Sequence, residues 1–599
     1  MAIFFPSLEN IYKLSVKPTE GEEHLLNFLK DNLDDTYEIY FQSFINGDRP
    51  DVVLMRRDSG VMIIEVKDWD FSSDFYSGEN KYFSKSKKNP LDQVFSYKNN
   101  LFNLHIKTLL YMKLNNPTIF NIISCVIYFH NAKKRDIQIF ETKRNYNTKN
   151  VELINRDSLT SEYFSKILSD KWLNRKSKYF DETLYESFKR YLQPPLHTIE
   201  QGSIIDLLPK QKELINSRPT QQKIKGVAGS GKTLILARRA VNAHKRTKNK
   251  VLILTFNVSL KNYIHNKINE VRDEFYWDNF HIINFHQFFK AEANNYSLKI
   301  RNINEDYINE SFFEDCKHKI PKYETILIDE VQDYKIEWLN IIKKYFLAEN
   351  GEFVLFGDEK QNIYQRDLEK NKNIRTNIVG RWNELNESFR LHTKIANIAT
   401  NFQKYFFLYK YELDKIKIAY YQTFNDDTSS HFEYYFLPSN NMDYIFSNII
   451  EIIIKLKLHP DDIGILSTKT ETIRDLDFLI RSERNEKTEM MCETKEESES
   501  FTEKGLDKID IVRRNKKSNF WMNPGTIKLS TVHSFKGWEI HTLFLIIEEY
   551  PEKEGFFDKK ISLDELIYTG ITRCKYNLII FNIENIRYDM FFKTIAQKW

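Results

Sequence analysis

The sequence predicts an α/β protein of several domains: an N-terminal α/β domain, then parallel α/β sheets with helical insertions. Three observations carry this. At 599 residues the chain is too long for one core, and length alone sets a prior of about four domains. From about residue 203, short apolar runs alternate with amphipathic stretches, the pattern of a parallel sheet. Within that region Gly226–Thr233 reads GVAGSGKT, between an apolar approach and the helically spaced LILARRA.

Composition narrows the class. Charged residues are 29% and apolar residues 41%, as in a globular protein. No run of about 18 apolar residues occurs, so no membrane span or membrane partner is expected. The start MAIFFPSLEN lacks the basic and small-residue parts of a signal peptide. Four cysteines lie far apart, without zinc or disulfide spacing, and a reducing cytoplasm is expected. Net charge is only +4 and does not itself argue for nucleic acid. The local basic runs Lys81–Lys88, Arg175–Lys178 and Arg513–Lys517 read equally well as solvated loops.

Residues 19–33 predict a helix with Leu25, Leu26, Phe28, Leu29 and Leu33 on one face and Glu20, Glu22 and Glu23 in its first turn. YEIYFQSFI, DVVLM and VMIIEVK follow as strands. Asp51 opens the second, while Glu65 and Lys67, two apart on the third, share a face. Two inward acids beside a lysine need compensation. Mg²⁺ held by Asp51 and Glu65 would supply it, and Mn²⁺ would serve as well. Lys67 would position or activate a water, or stabilise charge on a phosphoryl group. Cys125 and His130, in the apolar run IISCVIYFH, read as core.

Pro50-Asp51 with Glu65-Val66-Lys67 resembles the PD-(D/E)xK nuclease core, and Gln93 with Tyr97 resembles the Gln-xxx-Tyr element of RecB-type nucleases. With Gly21-Glu22, Lys67-Asp68-Trp69 and Asn89-Pro90, residues 15–145 resemble the nuclease-related domain called NERD. The resemblance implies a restriction-endonuclease-like fold over 1–150, a catalytic role for Gln93, and Glu22 as a further metal ligand, with Glu20 and Glu23 as rivals for that place. Residues 151–202 read as a helical linker, ending in the breaker Gln193-Pro194-Pro195.

The loop GVAGSGKT fits GxxxxGK[ST]. Gly226, Gly229 and Gly231 let the backbone, with Ser230, wrap a polyphosphate. Lys232 would reach the β/γ-phosphates of ATP, and the Thr233 hydroxyl would bind Mg²⁺. Gln211 is spaced to contact adenine, or is an ordinary surface residue. ETILIDEVQD places Asp329 and Glu330 at the carboxyl edge of a buried strand. Asp329 would bind Mg²⁺ directly or through water, and Glu330 would be the general base. Gln361 would sense the γ-phosphate. Arg390 and Arg573 would stabilise charge on the transferring phosphoryl group.

In order, DEVQD, GDEKQNIY, STVHSFKGWE and LIYTGITR resemble the UvrD/Rep-like superfamily 1 helicases over about 205–598. The resemblance implies two RecA-like domains, 203–380 and 381–599, with ATP between them and single-stranded nucleic acid across them. It gives Glu539 an ATP-ribose or coupling role and puts Phe256, His286, Tyr364 and His533 near the strand. Arg366 stands where the family often has a stacking Trp, and its guanidinium plane can stack instead. The second domain's insertion is reduced, and the charge-rich stretch near 482–518 reads as a mobile loop.

Together these readings describe a DNA helicase–nuclease acting on single-stranded and duplex DNA. The pairing resembles bacterial nuclease–helicase immunity proteins acting against phage. A repair enzyme would use the same chemistry. A motor whose N-terminal domain only binds DNA is the rival reading, and an RNA track fits the same motifs.

Overall fold

A computed structural model describes the chain except for residues 14–16, 44–48, 70–89, 103–108, 144–150, 194–206, 272–278, 371, 389–390, 415–416, 419–429, 485, 503–506, 523–524, 550–560 and 599. It divides into two compact units. One is Met1–Ile205 with Leu456–Asp461 and Asn523–Gly525; the other is Asp206–Lys455, Asp462–Met522 and Thr526–Trp599.

The first unit is built on six strands in chain order: β1 (Ile3–Phe5), β2 (Tyr37–Phe41), β3 (Val52–Arg56), β4 (Gly60–Lys67), β5 (Ile123–Phe129) and β6 (Val151–Asn155). β2, β3 and β4 are antiparallel neighbours, and β4, β5 and β6 are parallel. Alternating side chains give two apolar faces. Helix α1 (Glu20–Asn32) starts on a capping box between Thr19 and Glu22. It lays Leu25, Leu26 and Leu29 over Leu54, Ile64 and Val126. Helix α2 (Pro90–Asn100) lays Leu91 and Val94 over Ile63, Cys125 and Ile127 on the other face.

Of the linker expected over 151–202, residues 151–193 instead form structure that completes this unit. β6 extends the sheet, α3 (Ser161–Asp170) buries Phe164, Ile167 and Leu168 on one face, and α4 (Glu182–Leu192) buries Leu184 and Phe188 on the other. Each such side chain is worth about 1.5–3 kcal/mol of burial, so this segment is core.

The second unit holds two all-parallel six-stranded sheets. The first has the order β12-β7-β11-β10-β8-β9, with β7 (Gln221–Gly226), β8 (Val251–Thr255), β9 (Phe280–Asn284), β10 (Tyr323–Ile328), β11 (Leu347–Gly357) and β12 (Asn383–Leu385). Its helices include α5 (Lys232–Thr247), α6 (Leu260–Asn269), α7 (Phe285–Asn295) and α8 (Ile336–Phe346). β12 pairs with β7, so this layer runs past the expected boundary at 380. A two-residue pairing joins β13 (Glu387–Ser388) to β14 (Lys417–Ile418). The second sheet has the order β15-β20-β19-β16-β18-β17, with β15 (Phe432–Leu437), β16 (Ile463–Ser467), β17 (Thr488–Met490), β18 (Ile527–Thr531), β19 (Ile540–Ile547) and β20 (Cys574–Ile583). Two sheets of this kind are what two RecA-like motor domains require.

The loop expected near 482–518 is corrected too. β17 joins the sheet beside β18, and α9 (Thr470–Arg484), α10 (Lys495–Thr502) and α11 (Asp507–Ser518) surround it. Its charges are cross-linked between elements: Arg481 to Asp477 and Glu496, Arg513 to Glu493, and Lys516 to Glu497. Among the described residues no helix is long and apolar enough to cross a membrane.

Candidate functional site

The phosphate loop links β7 to α5. Gly231, at φ +82, caps α5 in the left-handed region, where a Cβ would sit 3.2 Å from Gln211 Nε2. Gln211 is 1% exposed, so the surface alternative is excluded. Its Nε2 donates to the Ser230 carbonyl at 3.0 Å, and its Oε1 accepts from Leu208 N at 3.1 Å. Lys232 Nζ donates to the Gly226 carbonyl at 2.7 Å and lies 3.8 Å from Asp358 Oδ2.

From Asp358 a polar relay crosses the unit. Gln361 Nε2 donates to Asp358 Oδ2 at 2.8 Å, and Arg573 Nη2 donates to Gln361 Oε1 at 3.0 Å. Arg573 follows α12 (Leu563–Ile571) in the second layer, and its Nη1 donates to the carbonyl of Trp538, the residue before Glu539, at 3.3 Å. Lys536 Nζ donates to both Asp333 carboxylate oxygens and to the Gln361 carbonyl, all at 2.7 Å.

Asp329 and Glu330 follow β10, with Glu330 at φ 52 in the left-handed region. Burial, then Glu330, raises the Asp329 carboxyl to about 7. Burial also pushes Glu330 upward, but Lys536, Arg573 and Lys232 outweigh it and hold that carboxyl below its ordinary range. The two adjacent carboxyls are thus shifted in opposite directions. Arg390 lies outside the described residues.

In the first unit, Val52 pairs with Ile64, which sets Asp51 against Glu65. Asp51 Oδ2 accepts from Val66 N at 2.7 Å, and Lys67 Nζ donates to Glu65 Oε1 at 2.5 Å. Glu65 is 1% exposed, and its Oε2 is buried without a partner among the described residues. Burial and then Glu65 push Asp51 up to about 8; burial raises Glu65 as well, against the pull of Lys67. Of the three glutamates in the first turn of α1, only Glu22 is buried. Its Oε2 accepts from Thr19 N at 2.7 Å and its Oε1 from Gln42 Nε2 at 2.8 Å. Gln93 Nε2 donates to the Tyr97 hydroxyl at 2.7 Å, which donates to the Arg49 carbonyl at 3.3 Å, two residues before Asp51. Among the described residues no three His, Cys, Asp or Glu side chains form a metal cluster.

Two family models match stretches of the chain that contain these sites. Residues 17–130 match the nuclease-related domain, and residues 211–367 match an AAA domain, the type typical of UvrD/Rep-like helicases. The chain joins these two domains. No curated protein matches it. Among solved structures, the Arterivirus nonstructural protein 10 helicase in complex with DNA is similar at 11% identity, over 63% of this chain and 64% of that one, with a TM-score of 0.27. The helicase of PRRSV is similar at 9% identity, over 64% and 55%, with a TM-score of 0.29. The chain thus covers less than two thirds of either protein's length.

The AAA domain gathers most of the expected strand contacts. Phe256 lies 5.1 Å from Tyr364 and 5.8 Å from His286, ring to ring, and both Phe256 and His286 pack against Trp338. Arg366 lies over Trp338 at 5.6 Å, and its Nε donates to the Asp333 carbonyl at 3.1 Å. A cavity of about 190 Å³ lined by Tyr334, Lys335, Arg366 and Arg375 adjoins this nest. Burial, then Arg366 and Lys335, lowers His286 to about 4. His533 stands apart in the second layer, in α13 (Val532–Phe535), 3.3 Å from Thr531 Oγ1.

Sequence reasoning missed Gln332, Asp333, Asp358 and Lys536 as site residues. Each stands inside a motif already in view, two or three residues from a chosen one. In the nuclease-related domain it missed Gln42 and Arg49, which bridge to Glu22 and Tyr97 and carry no motif of their own.

Proposed function

We propose that this protein is an ATP-driven motor on nucleic acid, with DNA as its track, whose N-terminal domain cuts the phosphodiester backbone. The relay Lys232–Asp358–Gln361–Arg573 carries the motor half, because it wires the phosphate loop to an arginine of the second layer. With ATP bound, Lys232 leaves the Gly226 carbonyl for the β/γ-phosphates, and Gln211 turns its remaining amide hydrogen toward adenine. Thr233 and Asp329 would hold Mg²⁺, Glu330 would accept the proton of the attacking water, and Arg573 with Arg390 would stabilise the phosphoryl charge. Gln361, between Asp358 and Arg573, reports the γ-phosphate to the second layer, and Glu539 contacts the ATP ribose or couples it to the strand. Phe256, His286, Tyr364, Arg366 and His533 line the strand.

At the second site the unpartnered Glu65 Oε2 and two carboxyls pushed toward protonation fit a divalent cation. Asp51 and Glu65 would hold Mg²⁺ or Mn²⁺, with Glu22 behind them, and waters and phosphate oxygens would complete the shell. When bound, the ion supplies Lewis-acid activation of the reacting phosphodiester. Lys67 orients Glu65 and presents its remaining hydrogens to the attacking water; Gln93 and Tyr97 fix the segment that carries Asp51. The four cysteines are free thiols, which suits a reducing cytoplasm. The pairing of motor and nuclease resembles that of bacterial anti-phage proteins, and defence is the role proposed, with repair as the alternative. Phage plating on cells carrying the wild type, Lys232→Ala or Lys67→Ala measures that role.

The biochemical test is a labelled-duplex assay with and without ATP. Lys232→Ala loses strand separation, and Lys67→Ala loses cutting alone. Wild-type protein that turns over ATP without stimulation by single-stranded DNA or RNA defeats the motor reading. Wild-type protein that cuts nothing with Mg²⁺ or Mn²⁺ defeats the nuclease reading.

A further inference from the structure

Helix α11 carries Arg513, Arg514, Lys516 and Lys517. At 3.6 residues per turn these four cations fan over about 160° of its surface. One edge of the fan is neutralised. Lys516 Nζ lies 2.6 Å from Glu497 Oε2, and Arg513 donates to both oxygens of the buried Glu493 at 2.6 and 2.7 Å. On the other edge, Lys517 and Arg514 are in no ion pair among the described residues, and Asp510, which shares that edge, is in none either.

The unpaired edge is held at a defined place. Asn262 Nδ2, on α6 of the first layer, donates to the carbonyls of Ser518 and Phe520 at 2.8 and 2.9 Å. The Phe520 ring packs at 5.0 Å from Trp538 and 6.3 Å from Phe535 in the second layer. The end of α11 is thereby pinned to both layers. Burial and then Lys517 and Arg513 drive the His533 imidazole down to about 3. Arg514 acts on the Tyr307 phenol, opposing burial, and Tyr307 packs 5.5 Å from His286. The end of α11 thus sits against α6 of the first layer and against α13, the helix that carries His533. Lys517 is half-buried, its ammonium pKa lowered by burial and then Arg513 against the pull of Cys492, Glu493 and Asp510, and a partly desolvated cation without a paired anion is costly.

We propose that the Arg514–Lys517 edge of α11 is a backbone clamp for a single-stranded polynucleotide, whose phosphodiester anions complete the pairing that Glu493 and Glu497 provide on the other edge. The clamp rests on the motor reading and names a contact outside the recognised motifs. It is sequence-independent, since phosphate contacts position the strand without reading bases.

Salt-dependent binding of a fluorescent thymidine oligonucleotide to the full chain tests it. Each phosphate contact on a single strand contributes about 0.7 to the slope of log K against log salt. Arg514→Ala lowers the slope by about 0.7, and Arg514→Ala with Lys517→Gln lowers it by about 1.4. Lys516→Ala, whose charge Glu497 already holds, leaves the slope at the wild-type value. Arg514 is exposed, so its single variant decides the matter if the double variant does not fold. An unchanged slope in Arg514→Ala, with normal wild-type binding, overturns the clamp alone. Wild-type protein that does not bind the oligonucleotide overturns the clamp and the motor reading together.

Discussion

Glu330 and Glu65 are both buried acids beside a lysine, yet their carboxyls are shifted in opposite directions. Glu330 has Lys536, Arg573 and Lys232 acting on it, and their sum exceeds the cost of burial. Glu65 has Lys67 alone and shares its pocket with Asp51, so burial prevails. The motor site balances its charges with cations drawn from distant motifs. The N-terminal site is short of positive charge, and a proton or an imported cation must supply it.

Removing a cation from the balanced site has the largest expected effect. Arg573→Ala lowers the rate of ATP hydrolysis by about 10³–10⁵-fold, measured as phosphate release, while DNA cutting without ATP persists. Lys536→Ala strands Asp333 and Glu330 and destabilises the second unit by about 3–5 kcal/mol, read by denaturant unfolding. At the deficient site, Lys67→Ala lowers the cutting rate by about 10²–10³-fold, with ATP hydrolysis unchanged. A loss of ATPase in that variant would erase the distinction between the sites.

The smallest effect is a pH dependence confined to the N-terminal pair. Asp51 sits at about 8 when folded, against an ordinary 3.8. Between those values the folded chain binds the extra proton. Its metal-free stabilising contribution is therefore full below about 4 and is lost as pH rises through about 8. Metal binding runs the other way, because the ion displaces that proton: apparent Mn²⁺ affinity rises about tenfold per pH unit up to about 8. Asp51→Asn flattens both profiles, followed by calorimetry and thermal melts.

What was legible in the sequence was what repeats a local pattern. Strands such as Val251–Thr255 and the acids at 329–330 follow from short apolar runs and their ends. β6 was not legible, because VELIN is short and carries Glu152, and its burial comes from α3 and from pairing with β5, which ends more than 20 residues upstream. Helices α10 and α11 were hidden by their charge. Composition cannot tell a charge left in solvent from one paired with Glu493. Lys536 was passed over for a related reason: the two oxygens that define its role belong to Asp333, in the other layer.

β12 was also unexpected, and it bears on how the protein can be divided. Val227 N donates to the Leu385 carbonyl at 3.0 Å, and a Cβ on Gly226 would lie 2.9 Å from Leu385 Cβ. The first turn of the phosphate loop is thus shaped by a strand more than 150 residues downstream. A fragment ending at 380 would keep every residue of GVAGSGKT and lose the rail against which it is bent. One ending at 388 keeps the rail, and nucleotide binding by the two fragments should differ accordingly.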